Sequence, residues 1–131
     1  MTVVFDTNVL ISGFLTTTGL PQHILTRAFK RHRVILSEYV IREFEEKLDR
    51  KLKIPRPLIR EAADFLRKRA VVMDVPKESK IEFSDQKDVP VLSLVETSKA
   101  NYFITGDQKL LAIKKLGATL FLSPREAMEI L

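Results

Sequence analysis

Asp6 and Asp107 each follow a short apolar run, Val3-Val4-Phe5 before the first and Tyr102-Phe103-Ile104 before the second. Such runs read as buried strands. In a parallel α/β sheet both carboxylates then fall on the carboxyl edge, where these sheets place their sites. Two carboxylates brought together repel each other unless a proton or a cation sits between them. A divalent cation placed there brings chemistry, because it activates water and neutralises charge building on a phosphate. The plain alternative is that each Asp caps a helix N-terminus. That alternative weakens because both caps would share one sheet edge, at neighbouring strand ends.

Two further acids are candidates. Asp88 lies in Ser84-Asp85-Gln86-Lys87-Asp88-Val89-Pro90. Pro90 is tolerated only in a first helical turn, so the helix starts close to Asp88, which is preferred over its neighbour Asp85. This helix leads into the Tyr102 strand, so its start also belongs to the carboxyl edge. Glu43 sits inside a helix, where Tyr39, Glu43 and Lys47 stand at i, i+4 spacing on one flank of the apolar stripe. On spacing alone a surface Glu43–Lys47 pair explains Glu43. Strand-end reasoning thus ranks Asp6 and Asp107 first, Asp88 next and Glu43 last. Asn8 can hold a carboxylate in place, and Thr7 and Thr105 offer hydroxyls for the same task.

Other chemistries are poorly supplied. The chain has no cysteine, which excludes disulfides and thiolate zinc sites. His23 and His32 are the only imidazoles and form no H-E-x-x-H pattern. A metal is therefore expected to be held by oxygen, which favours Mg²⁺ or Mn²⁺. No phosphate-binding glycine loop and no Ser-His pair competes.

The elements that must position these acids alternate along the chain. Strands are expected at Thr2–Asp6, Val34–Leu36, Ala70–Met73, Tyr102–Thr105 and Ala118–Leu122. Between the first two, Thr7-Asn8 caps a short helix, and Pro21 opens a second with Ile24, Leu25, Ala28 and Phe29 on one face. Ser37 caps a third helix, whose stripe is Val40, Ile41, Phe44, Leu48 and Leu52. Beyond Pro55 and Pro57, a fourth carries Leu58, Ile59, Ala62, Phe65 and Leu66. Val75–Ser84 reads as a loop. A fifth helix starts near Asp88, a sixth opens at Asp107 and ends at Gly117, and Ser123-Pro124 starts the last. The order βααβααβαβαβα predicts an α/β fold: a central parallel sheet of four to five strands, covered by helices on both faces.

A length of 131 residues points to one domain, 1–131, and an apolar content of 45% is enough for a real core. No apolar stretch is long enough to span a bilayer, and Met1-Thr2-Val3 lacks the basic flank of a signal peptide, so a cytoplasmic protein is expected. The net charge of +5 is uneven. Met1 to Val75 holds 14 Lys/Arg against 9 Asp/Glu, and the remainder holds 8 against 8. A basic first half suits a phosphate backbone, with Arg31, Arg33 and Arg42 as candidate contacts; solvation of helix surfaces is the alternative.

Four blocks, taken together, resemble the PIN-domain family of nucleases. They are Asp6-Thr7-Asn8-Val9-Leu10-Ile11-Ser12, then Ser37-Glu38-Tyr39-Val40-Ile41-Arg42-Glu43-Phe44, then Asp88-Val89-Pro90-Val91-Leu92, then Ile104-Thr105-Gly106-Asp107-Gln108-Lys109-Leu110-Leu111. The resemblance covers essentially the whole chain, and implies a three-layer α/β/α fold and Mg²⁺- or Mn²⁺-dependent hydrolysis of single-stranded RNA. It implies a catalytic, metal-binding cluster of Asp6, Glu43, Asp88 and Asp107, supported by Asn8 and Thr105. Closest in kind are prokaryotic PIN proteins described as toxins of toxin–antitoxin pairs, many of them homodimers held inactive by a small antitoxin protein. Two features depart from that pattern. Leu110 and Leu111 occupy a region where some PIN toxins carry a further acid, and Val95-Glu96 stands where relatives often have a small Ala.

Two other readings remain open at this point. One is a catalytically weak PIN-type domain that binds RNA or regulates. The other is a receiver-like domain phosphorylated on Asp6 or Asp107, which wants a Lys at the end of a late strand; Thr119-Leu120-Phe121-Leu122 supplies none.

Overall fold

Val3, Val4 and Phe5 have no solvent-accessible surface, and they form the middle of the sheet. They belong to β1 (Thr2–Phe5), which pairs in parallel with β2 (Arg33–Ser37) on one side and β4 (Tyr102–Ile104) on the other. β3 (Val71–Met73) extends the sheet beyond β2, and β6 (Thr119–Leu122) extends it beyond β4, both in parallel. The strand order is β3-β2-β1-β4-β6-β5. This computed structural model describes residues 1–16, 18–75, 83 and 85–131, so most of the loop expected at Val75–Ser84 lies outside the described residues.

Among the described residues the sheet has six strands, against an expectation of four to five. The extra strand is β5 (Lys115–Leu116), two residues antiparallel to β6. It occupies chain that was expected to be helix. α6 is only Gln108–Leu111, and the left-handed residue just beyond it is Lys114, not Gly117. Gly117 instead opens a two-residue hairpin between Leu116 and Thr119, where its φ of +59° supplies the twist such a tight turn needs.

Helices flank the sheet. α1 (Thr7–Leu15) packs on α2 (Leu20–Arg31) and on α3 (Glu38–Arg50); α3 packs on α4 (Arg56–Arg69), and α2 on α7 (Pro124–Ile130). α5 (Val89–Ser98) buries five consecutive residues, Val91–Val95, as a helix enclosed on all sides does. Ser37 caps α3 by accepting the Val40 N–H at 3.2 Å. Ser123 and Glu126 form a reciprocal capping box on α7, with Pro124 in its first turn.

Phe5, Phe44 and Phe103 are the largest fully buried side chains. Phe103 meets Phe121 edge-to-face across β4 and β6, with centroids 5.0 Å apart. Two stripe expectations need correction. α3 ends at Arg50, so Leu52 lies beyond it and is exposed; in α4 the buried face is Ile59, Ala63 and Leu66, leaving Leu58 in solvent. Phe65 is partly exposed and packs edge-to-face on Phe14 and Phe29. Among the described residues no helix is long and apolar enough to cross a membrane.

Candidate active site

The chain builds the sheet outwards from β1 through β2 to β3, then returns to lay β4 on the other side of β1. The boundary between β1 and β4 is thus the topological switch point, where diverging connections leave a crevice. The register pairs Phe5 with Ile104, and the Asp6 N–H donates to the Ile104 carbonyl at 2.9 Å. Asp6 and Thr105 are therefore the first residues past the two central strand ends. A cavity of about 390 Å³ opens there, and its lining includes Asp6, Asn8, Gly106 and Asp107.

Thr105 has no accessible surface, and its hydroxyl bridges the two halves of the site. It donates to Asp6 Oδ2 at 2.8 Å and accepts the Asp107 N–H at 3.1 Å. Asp6 is half-buried. It precedes α1 without making a side-chain cap, while Thr7, expected to help cap that helix, lies within it and is buried. Burial raises the Asp6 carboxyl above its ordinary range, and Glu43 adds to this; hydrogen bonds from Thr105 and the Thr7 backbone, and the charge of Lys47, oppose it.

Asp107 does act as a cap, since its Oδ1 accepts the Lys109 N–H at 2.8 Å. Asp88 does not. The cap of the Gln86–Asp88 3₁₀ turn is Asp85, which accepts the Lys87 N–H at 3.1 Å. Asp88 is left with one carboxylate oxygen, Oδ2, that is inaccessible and has no hydrogen-bond partner among the described residues. Burial pushes its carboxyl up to about 6, reinforced by repulsion from Asp85, Asp6, Asp107 and Glu43. All four predicted acids therefore share one electrostatic neighbourhood, drawn from the ends of β1 and β4, the flank of α3 and the start of α5.

Lys47 is the residue whose part in the site sequence reasoning missed. Its ammonium lies 3.9 Å from Glu43 Oε1 and donates to Asn8 Oδ1 at 3.1 Å. Asn8, expected to hold a carboxylate directly, is thus engaged by a lysine from the neighbouring helix. Tyr39 belongs to the same flank of α3: burial, then the charges of Glu43, Glu46 and Asp88, push its phenol up. The i, i+4 spacing of Tyr39, Glu43 and Lys47 was the available signal, but it did not reveal what they face.

Of the three arginines expected to contact RNA, Arg31 ends α2 and Arg33 begins β2. Both therefore sit on the amino edge, about 13 Å of strand away from the acids at ~3.3 Å per residue, and do not line the crevice. Arg42 is exposed on α3, one residue before Glu43. Arg67 is engaged elsewhere, on Glu38 and Glu45.

The donors that could hold a metal are all carboxylate oxygens, which suits a hard divalent cation. The orphaned Asp88 oxygen and the raised Asp88 carboxyl both fit a group that would neutralise them. Among the described residues, no three acids stand close enough to form a finished cage. A cation such as Mg²⁺, which keeps several waters, needs no such cage.

Fold and site together are those of a parallel α/β domain with an acidic crevice at its switch point. The chain belongs to the PIN-domain family, whose model matches residues 2–109. Comparison with curated protein sequences gives no match. Among solved structures, VapBC2 from Rickettsia felis, bound to a DNA fragment from its promoter, is similar at a TM-score of 0.68 and 13% identity, over 94% of this chain and 98% of that one. VapC20 from Mycobacterium tuberculosis, a sarcin-ricin-loop-cleaving toxin, is similar at a TM-score of 0.61 and 13% identity, over 87% of this chain and 96% of that one. At this identity the likeness concerns the fold.

Proposed function

We propose that the protein is a Mg²⁺- or Mn²⁺-dependent endoribonuclease that hydrolyses phosphodiester bonds of single-stranded RNA, acting in the cytoplasm as the toxin of a toxin–antitoxin pair. What supports this reading is the pair Asp6 and Asp107 lining the crevice and joined through Thr105, with Asp88 near enough to be repelled by Asp6, Asp107 and Glu43, and with one buried Asp88 oxygen lacking a partner among the described residues. Clustered negative charge repels RNA, so a site that only bound RNA would gain nothing from it.

In this reading Asp6, Glu43, Asp88 and Asp107 hold the cation. The chemistry such a divalent ion would supply, when bound, is neutralisation of charge on the scissile phosphate and a more acidic attacking water. Thr105 fixes the Asp6 carboxylate and the Asp107 backbone relative to each other through its two hydrogen bonds. One of the four acids, through a carboxylate oxygen turned away from the cation, would take the proton of the attacking water. Asn8 orients Lys47 at the rim, and exposed Arg42 is the retained candidate for guiding the RNA backbone.

The similar VapBC2 and VapC20 structures support an antitoxin protein as partner and RNA as substrate, and a homodimer is proposed with them. The test is cleavage of single-stranded RNA with Mg²⁺ or Mn²⁺, comparing wild type with Asp6→Asn and Asp107→Asn. Loss of cutting in folded mutants supports the site, and equal activity sinks it.

One observation favours a second reading, a catalytically weak PIN domain that binds RNA or regulates: the described acids do not form a finished cage. That reading predicts RNA binding in EDTA and no metal-stimulated cutting.

A further inference from the structure

Lys47 stands where a charge-balancing group is needed. Asn8 lies on α1 and Glu43 on α3, two helices that pack together. The Lys47 ammonium lies between them, 3.1 Å from Asn8 Oδ1 and 3.9 Å from Glu43 Oε1. The other ion pairs among the described residues all use Arg67, which engages Glu38 and Glu45. Among the described residues, Lys47 is thus the one cation in ion-pair contact with any of the four acids, and its partner is Glu43. Its influence is one-sided: it eases Asp6, whereas the charges acting on Asp88 are the repelling carboxylates Asp85, Asp6, Asp107 and Glu43.

We propose that Lys47 is a resident counter-ion of the acidic crevice: its ammonium balances the Asp6–Glu43 side while no divalent cation is bound, and competes with one for that place. The inference rests on the metal-dependent reading above. Lysine suits this task because its ammonium is a compact charge on a flexible four-carbon stem, which can swing away without moving the helix. Its side chain is 26% exposed, so a path into solvent is open. Direct competition has a consequence that a simple structural salt bridge lacks. Removing the lysine weakens the metal-free fold and at the same time tightens the binding of a divalent ion.

The experiment is Mn²⁺ titration by calorimetry, with thermal melts in EDTA, on wild type, Lys47→Gln and Lys47→Arg. Far-UV circular dichroism confirms that each folds. Lys47→Gln is expected to melt lower in EDTA and to bind Mn²⁺ about tenfold more tightly, as loss of one like charge at this range implies. Lys47→Arg keeps the charge and is expected to stay near wild type in both. Unchanged or weaker Mn²⁺ affinity in Lys47→Gln overturns the competition even if the melt drops, since a merely structural contact gives that drop alone. An unchanged melt in EDTA overturns the counter-ion role. Absence of Mn²⁺ binding by wild type overturns the metal-dependent reading itself, and the exchange with it; no RNA cleavage enters any of these outcomes.

Discussion

Asp88→Asn removes the most perturbed charge in the crevice while keeping the side chain's shape. The wild-type carboxyl titrates at about 6 in the fold, against an ordinary value of 3.8. Its folded pKa is raised, so the protonated form suits the fold. Stability is therefore fullest below pH 3.8, falls as the pH climbs from there through about 6, and is flat above. Two units at ~1.4 kcal/mol each set a ceiling of about 3 kcal/mol. Asp88 is only half-buried, and solvent screening reduces this to about 1 kcal/mol. For a chain of this size that is about 4 °C in Tm. In EDTA, Asp88→Asn is thus expected to melt about 4 °C above wild type at pH 7.5, with the gap closing towards pH 4. The comparison across pH cancels any packing change that does not titrate. Scanning calorimetry of both proteins at several pH values measures it. A gap that is flat with pH, or that widens on acidification, refutes the assignment of Asp88 as a strained, repelled carboxylate.

Three further outcomes are expected. Thr105→Val leaves Asp6 Oδ2 and the Asp107 N–H without their shared partner, which costs about 1–3 kcal/mol in urea unfolding and disorders the site enough to cut metal-dependent cleavage. Phe103→Ala empties a fully buried position beside Phe121 and costs about 3–5 kcal/mol in the same assay. Mn²⁺ at a hundredfold excess over its Kd stabilises wild type by about 2.7 kcal/mol, EDTA reverses it, and Asp6→Asn abolishes most of it in thermal melts.

The placement of much of the candidate site was legible because it depends on local signals. Short apolar runs located the ends of β1 and β4, and the restriction on Pro90 located the start of α5. Adjacency of β1 and β4 is a non-local fact, and the alternation of strands and helices constrains it only through the preference for parallel sheets. β5 escaped because two residues carry no periodicity, and because glycine serves equally as a helix stop and as a hairpin turn. Lys47 escaped for a different reason. Its pairing with Glu43 follows from helical spacing, but its bond to Asn8 crosses between α1 and α3, 39 positions apart. The misplaced arginines were avoidable. Arg33 immediately precedes an apolar strand, so strand direction alone puts it on the amino edge, opposite the acids. Charge composition counted that residue without asking where it points.

The central claim is that four carboxylates at the switch point form a cation-dependent ribonuclease site. It is tested most directly by incubating purified protein with an end-labelled single-stranded RNA in Mn²⁺, alongside Asp6→Asn and an EDTA control. Site-specific fragments from wild type, absent with EDTA and with the folded mutant, are the predicted result. Intact RNA under every condition, or identical fragments from Asp6→Asn, would contradict it.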